Sequence, residues 1–170
     1  MEATVLTERA EMTTATKPGE ADEQQDVIAG NLQVALQHLD RERKDDLDGV
    51  IDLYADDIVW EEPSRGQVLR THNDIRTAYQ QLGTSLSVRS ETVLRRFATD
   101  QWVINESLMR ATVISDSIPQ LDFPVGTELS IRKLTLFEMR GGKICREINH
   151  TSFRPAGDPR IDHDDVPAMY

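Results

Sequence analysis

The sequence predicts an α+β domain in which three helices precede a run of long β-strands. Three observations carry that prediction. Apolar residues recur at helical spacing up to residue 83, β-branched and alternating segments dominate from residue 87 onward, and no internal repeat breaks the order. At 170 residues and 38% hydrophobic content, the chain can bury one sizeable core.

The first helix is expected at about 25–43. Ile28, Leu32, Ala35, Leu36 and Leu39 form its main stripe, with Val27, Val34 and His38 along the border. A second helix at about 46–55 places Leu47, Val50, Ile51 and Tyr54 on one face, at i, i+3, i+4 and i+7. After the acidic stop Asp56-Asp57, strand alternation over 58–62 puts Ile58, Trp60 and Glu62 on one face and Glu61 on the other. A third helix over 73–82 is capped by Thr71 or Asn73, shows Ile75, Ala78, Tyr79 and Leu82 on one face, and stops at Gly83. Strands follow at about 87–98, 101–115, 128–139 and 143–153, marked by Trp102-Val103-Ile104, Ala111 to Ile114 and Leu134 to Phe137. Gly141-Gly142 reads as the hairpin turn between the last two. Segment 116–127, with Pro119, Pro124 and Gly126, is expected to be a longer loop able to roof a pocket entrance.

The net charge of −11 is concentrated in the tails. Residues 1–25 hold six acids and two bases, and residues 155–170 four acids and one base. The first tail (1–24), low in apolar residues, is expected to be disordered, the domain to occupy 25–154, and 155–170 to be a strap or loose end. No basic face is present, so nucleic acid is not an expected partner. No window approaches the apolar length of a membrane span, and the acidic start lacks a secretory core. The single cysteine, Cys145, excludes an internal disulfide and fits a reducing cytoplasm. The four histidines lie on separate elements, and no phosphate loop, nucleophile elbow or dinucleotide fingerprint occurs. Cofactor-independent chemistry without a metal is therefore expected.

Chemistry enters with Glu62. In line with Ile58 and Trp60 it faces an apolar interior, where an ionised carboxylate is costly and becomes a stronger base. The alternative places Glu62 beyond the buried part of the strand, in water beside Pro63. His38, Tyr54 and Tyr79 add three inward or border-facing polar rings. Each alone can be a satisfied core residue, but together with Glu62 they suit a mostly apolar small-molecule pocket.

The run Tyr54-Ala55-Asp56-Asp57 through Glu62-Pro63, followed by a short loop and Ile75 to Tyr79, resembles ketosteroid isomerases of the nuclear transport factor 2-like superfamily. Val103 to Phe153, with Gly141-Gly142-Lys143-Ile144 leading a long final strand, is similar to limonene epoxide hydrolases and polyketide cyclases of that superfamily. The resemblance covers about residues 25–154 and implies a cone-shaped fold of three helices on a curved, mostly antiparallel sheet. It sets the catalytic aspartate of the isomerases on Glu62, their oxyanion-hole tyrosine on His38 and two supporting tyrosines on Tyr54 and Tyr79. It also carries departures. The isomerase's second oxyanion acid falls on Lys133, and the hydrolase's arginine and two aspartates fall on Ser107, Met109 and Asn149.

Alternation on the last strand leaves two candidates for the pocket side: Cys145, Glu147, Asn149 and Thr151, or Ile144, Arg146, Ile148 and His150. Apolar content favours the second set, and the resemblance favours the first. The same register turns Lys133, Thr135 and Phe137, with Asn105, Ser107 and Met109, toward the pocket, and Glu106 and Arg110 outward. The expected catalytic set is thus Glu62, His38, Asn149 and Lys133. Tyr54, Trp60, Tyr79, Asn105, Ser107, Met109, Thr135, Phe137 and Glu147 are the expected substrate-binding residues. The resemblance implies an isomerase or cyclase acting on a hydrophobic carbonyl compound, such as a polyketide or terpenoid intermediate in secondary metabolism. An epoxide-opening enzyme and a non-catalytic ligand-binding module are the alternatives. Apolar residues on both faces of the long strands, and the habit of the superfamily, imply a homodimer.

Overall fold

A computed structural model describes residues 20–116, 118 and 121–158. The tail readings for 1–19 and 159–170 lie outside the described residues. Helix α1 (Glu20–Arg43) begins five residues before the expected start. Its inner stripe is Asn31, Ala35, His38 and Leu39, all buried. The Asn31 amide donates to the carbonyls of Asp100 (2.8 Å) and Thr99 (3.3 Å), tying the helix to a distant strand turn.

Helix α2 is only Leu47–Ile51, shorter than the expected 46–55. The Asp46 side chain caps it by accepting from the Gly49 N–H. Glycine leaves room for that cap, because a Cβ at residue 49 would lie 2.2 Å from Asp46 Oδ2 and the carboxylate would have to shift. Tyr54 is not helical as expected: it opens strand β1 (Tyr54–Glu62), pairing with Ile144. Tertiary pairing overrides the helical periodicity at that point, since the Leu53 carbonyl accepts from the Ile144 N–H. Ile58, Trp60 and Glu62 are all buried, so the strand's inner face is the expected one.

A 3-10 turn at Pro63–Arg65 and Gly66, at φ 62°, lead into a strand that the sequence reading missed, β2 (Gln67–Leu69). Helix α3 (His72–Ser85) is capped by Thr71 and runs through Gly83. A glycine without steric conflict does not stop a helix whose Ile75, Ala78 and Tyr79 are anchored in the core.

The remaining strands are β3 (Leu86–Ala98), β4 (Trp102–Val113), β5 (Glu128–Arg140) and β6 (Lys143–Pro155). Gly141 and Gly142, at φ 57° and 74°, form the expected tight β5–β6 turn. The six strands order as β2-β1-β6-β5-β4-β3, antiparallel except for β1 against β6. Register shifts at Val88/Ser90 and Val93/Arg95 bend β3, as bulges do. Three helices thus pack on an open, mostly antiparallel six-stranded sheet.

β6 resolves the open choice of face. Met139 pairs with Ile144 and Glu138 with Arg146, so Cys145 is an extra residue. Ile144, Glu147 and Asn149 are all buried, while Cys145 is only half-buried. Upstream of the bulge the apolar set faces in, and downstream of it the polar set does. Among its described residues, the 116–127 loop lines neither cavity described below; its Phe123 packs on a second apolar cluster of Ala111, Val113, Leu129 and Ile131.

Candidate active site

Four elements converge on one buried carboxylate, and it is Glu147. Its Oε2 accepts from the Tyr54 hydroxyl at 2.5 Å, and its Oε1 accepts from Tyr79 Oη at 3.0 Å and Asn149 Nδ2 at 2.8 Å. His38 Nε2 lies 3.3 Å from Oε2 and 2.8 Å from Tyr54 Oη. Tyr54 has one hydroxyl hydrogen, and it goes to Glu147, so His38 Nε2 must carry a hydrogen. Burial alone would raise the Glu147 pKa. The His38 ring, the Lys133 charge and the Tyr54 hydrogen bond outweigh burial and take it down to about 2. Burial and the Glu147 charge push both tyrosines well above their usual 10, so both stay neutral donors.

A cavity of about 150 Å³ opens beside this network. Its walls are mainly apolar, with Trp60, Leu82, Met109, Ile131 and Phe153, and its polar groups are few. Glu62 is one of them, 3% exposed. Its Oε1 accepts from Ser64 Oγ at 2.5 Å and the Thr151 N–H at 3.3 Å, and its Oε2 accepts from Thr151 Oγ1 at 2.8 Å. These donors fix the carboxylate and leave Oε2 lone-pair capacity toward the cavity. Lys133, Tyr79 and Asn149 line the same space.

Lys133 Nζ is 3.0 Å from Glu42 Oε1, a residue of the last turn of α1. Burial would lower the Lys133 pKa, but the charges of Glu42 and Glu147 more than offset that and raise it. The ammonium is therefore a fixed cation at the cavity. The buried indole N–H of Trp60, close to the Tyr79 hydroxyl, makes no hydrogen bond of normal geometry among the described residues.

Of the expected catalytic set, Glu62, Lys133 and Asn149 share the cavity, and His38 does not. His38 is fully buried, with its Nε2 committed to Tyr54 and Glu147. Tyr54, Thr135 and Phe137 also lie behind the wall; Thr135 Oγ1 donates to Asn149 Oδ1 at 2.9 Å. Trp60, Tyr79 and Met109 do line it. Glu147, expected to touch substrate, is fully buried and spent on its four donors. Asn105 and Ser107 line an adjoining second cavity, again with Met109 and Lys133.

Sequence reasoning missed Arg65 and Glu42, both on the cavity wall. Burial lowers the Arg65 pKa, with Glu62 acting the other way. Pro63 and Gly66, flanking a basic residue, were the available sign of a turn that folds Arg65 back. Among the described residues no group of His, Cys, Asp and Glu could hold a metal ion, and no helix is long and apolar enough to cross a membrane.

The SnoaL-like domain family model matches residues 35–147. No curated protein matches the sequence. Among solved structures, the chain is similar to an NTF2-like protein from Burkholderia xenovorans, at 14% identity and TM-score 0.62, over 74% of this chain and 91% of that one. A proposed polyketide cyclase from Silicibacter gives 14% identity and TM-score 0.63, over 74% and 90% of the two chains. A proposed ketosteroid isomerase from Kribbella flavida gives 14% identity and TM-score 0.57, over 84% and 91%. At such identities the likeness is one of fold.

Proposed function

Since this chain belongs to the SnoaL-like domain family, we propose that it is an acid–base enzyme, an isomerase or cyclase, for a hydrophobic small molecule bearing a carbonyl. One observation carries the reading: Glu62, almost fully buried, shares a mainly apolar cavity with the Lys133 ammonium. Glu62 Oε2 takes a proton from the carbon alpha to the carbonyl. The electrons of that C–H bond move onto the carbonyl oxygen, and Lys133 stabilises the enolate, with Asn149 as the neutral donor. In a substrate with a neighbouring double bond the proton then returns from Glu62 to a different carbon of the dienolate, which moves the double bond; otherwise the enolate carbon attacks a second carbonyl and closes a ring, and the new alkoxide takes the proton from Glu62. A preorganised oxyanion donor contributes roughly 3–4 kcal/mol, and a positioned base about a hundredfold or more in rate. His38 and Glu147 have no part in the proton transfer; they hold Tyr79 and Asn149 in place.

The test is deuterium uptake from heavy water, followed by NMR, at the alpha carbon of bicyclic ketones. Wild type should exceed Glu62→Gln by at least about two orders of magnitude, because the variant keeps the shape and loses the basic oxygen. Equal rates would remove Glu62 from the chemistry and leave the cavity to ligand binding or epoxide opening.

A further inference from the structure

The inner cavity adjoins a larger one of about 450 Å³; Glu42, Leu86, Val88, Met109 and Lys133 line both. Two groups on the wall of the larger cavity are anomalous. Asn105 is 1% exposed and Ser107 0%, yet Asn105 Nδ2 and Ser107 Oγ have no hydrogen-bond partner among the described residues. Buried polar groups are rarely left this way, and an unmade hydrogen bond is costly.

The orientation of the amide is not arbitrary. Asn105 Oδ1 accepts from Arg96 Nε at 2.8 Å, so the other end of the amide, the donor, is the end left over. Residues 105 and 107 lie two apart on β4 and share a face, roughly 7 Å from each other. Ser107 sits directly across from Lys133 on β5.

The charges around these groups decide what kind of ligand fits. Lys133 is paired with Glu42 at 3.0 Å, Arg43 with Glu91 at 3.4 Å, and Arg89 with Glu128 at 3.2 Å. The three cations that line the cavity are thus each paired with an acid. What remains unmatched is a neutral N–H donor and a hydroxyl, and these suit neutral oxygen rather than an anion.

We infer that the larger cavity is a recognition subsite for a neutral hydroxyl or ketone oxygen at the far end of an elongated substrate, held by Asn105 Nδ2 and Ser107 Oγ. The inference rests on the proposed function for which end reacts: the reactive carbonyl sits in the inner cavity by Glu62, and the oxygenated end reaches past Lys133 and Met109. The substrate class is then an oxygenated polycyclic or chain-extended ketone rather than a plain hydrocarbon ketone.

The probes are α-tetralone and its derivatives hydroxylated on the far ring. Binding is read by quenching of tryptophan fluorescence, since Trp60 lines the inner cavity. All titrations use the Glu62→Gln background so that no turnover intervenes. The best hydroxylated probe should bind at least about tenfold more tightly than α-tetralone, as expected of a site built to hydrogen-bond an oxygen. Ser107→Ala and Asn105→Asp should each reduce that ratio to about twofold or less. Asn105→Asp keeps the acceptor for Arg96 and turns the free donor into a charged acceptor, so its ratio is read with the methoxy derivative, whose ether oxygen can accept but not donate; circular dichroism establishes that both variants fold. A ratio near one before substitution, or one that survives both substitutions, overturns the subsite. Deuterium exchange by wild type without any hydroxyl preference would sink the subsite alone. A preference without exchange would sink only the acid–base reading.

Discussion

Replacing Glu147 by glutamine should expose how much of the fold hangs on one carboxylate. The side chain is fully buried, receives four donors, and has its pKa held at about 2 against a usual 4.5. At about 1.4 kcal/mol for each tenfold in proton affinity, that gap corresponds to about 3 kcal/mol of stability. Folding lowers this pKa, so the stabilisation is complete above pH 4.5 and is lost as pH falls toward 2, about half of it by pH 3. Glutamine removes the charge and turns an N–H₂ toward donors, so no orientation of its amide satisfies all four. Removing one partner of a buried ion pair costs about 3–5 kcal/mol. Urea unfolding followed by tryptophan fluorescence at pH 7, 5 and 3 measures both effects. The variant should be less stable by about 3–5 kcal/mol at pH 7, and the difference should narrow at pH 3. A variant within about 1 kcal/mol of wild type at pH 7, or a gap equal at both ends of the range, would refute the assignment of Glu147 as the ionised hub.

Lys133→Met should lower kcat by about two orders of magnitude if the ammonium stabilises the oxyanion. Adding Glu42→Gln should recover stability without recovering rate, and recovery of rate would count against Lys133. Because the Lys133 pKa is raised above its usual 10.5, its ion-pair stabilisation should persist through neutral pH and fail only as pH rises through that raised value. His38→Gln should lower stability by about 1–3 kcal/mol through lost hydrogen bonds and leave the shape of the pH–rate profile unchanged. A changed profile would return His38 to the chemistry. Phe97, Ile104, Leu136 and Ile148 form a cross-strand apolar row on the outer sheet face, with Phe97 53% exposed. A homodimer through that row is expected by light scattering at micromolar concentration, and Leu136→Arg should yield monomer.

Where the sequence was legible, each position obeyed one local rule. Ile58, Trp60 and Glu62 sit on an unbroken stretch of strand, so period-two alternation found the inward face. For Lys133, Thr135 and Phe137 on β5, and for Asn105 and Ser107 on β4, alternation gave only which residues share a face, and the resemblance gave which face is inward. Legibility failed where two rules competed or distance intervened. Tyr54 satisfies a helical period and a strand pairing equally well, and only Ile144, ninety positions away, decides between them. Glu147 looks like one polar residue among several on β6; its weight comes from His38, Tyr54 and Tyr79 arriving from three other elements to join Asn149 of its own strand. Glu42 and Arg65 are charged residues at element ends, where a solvated charge and a cavity wall look alike in sequence.

The bulge at Cys145 has a consequence for anyone altering or aligning this strand. A substitution there changes one half-buried side chain with a hydrogen bond to the Glu138 carbonyl. A deletion there removes the one residue of the strand that has no partner on β5. Without the extra residue Arg146 follows Ile144 directly, the pairs Met139–Ile144 and Glu138–Arg146 become consecutive, and plain alternation keeps Ile144, Glu147 and Asn149 on one face. The buried ion cluster and the cavity's polar groups would keep their face, and what would be lost is the local bend and twist that the bulge puts into the strand. For the same reason, position-by-position comparison with a relative that lacks the bulge is valid on only one side of residue 145 at a time, and its two halves must be matched separately.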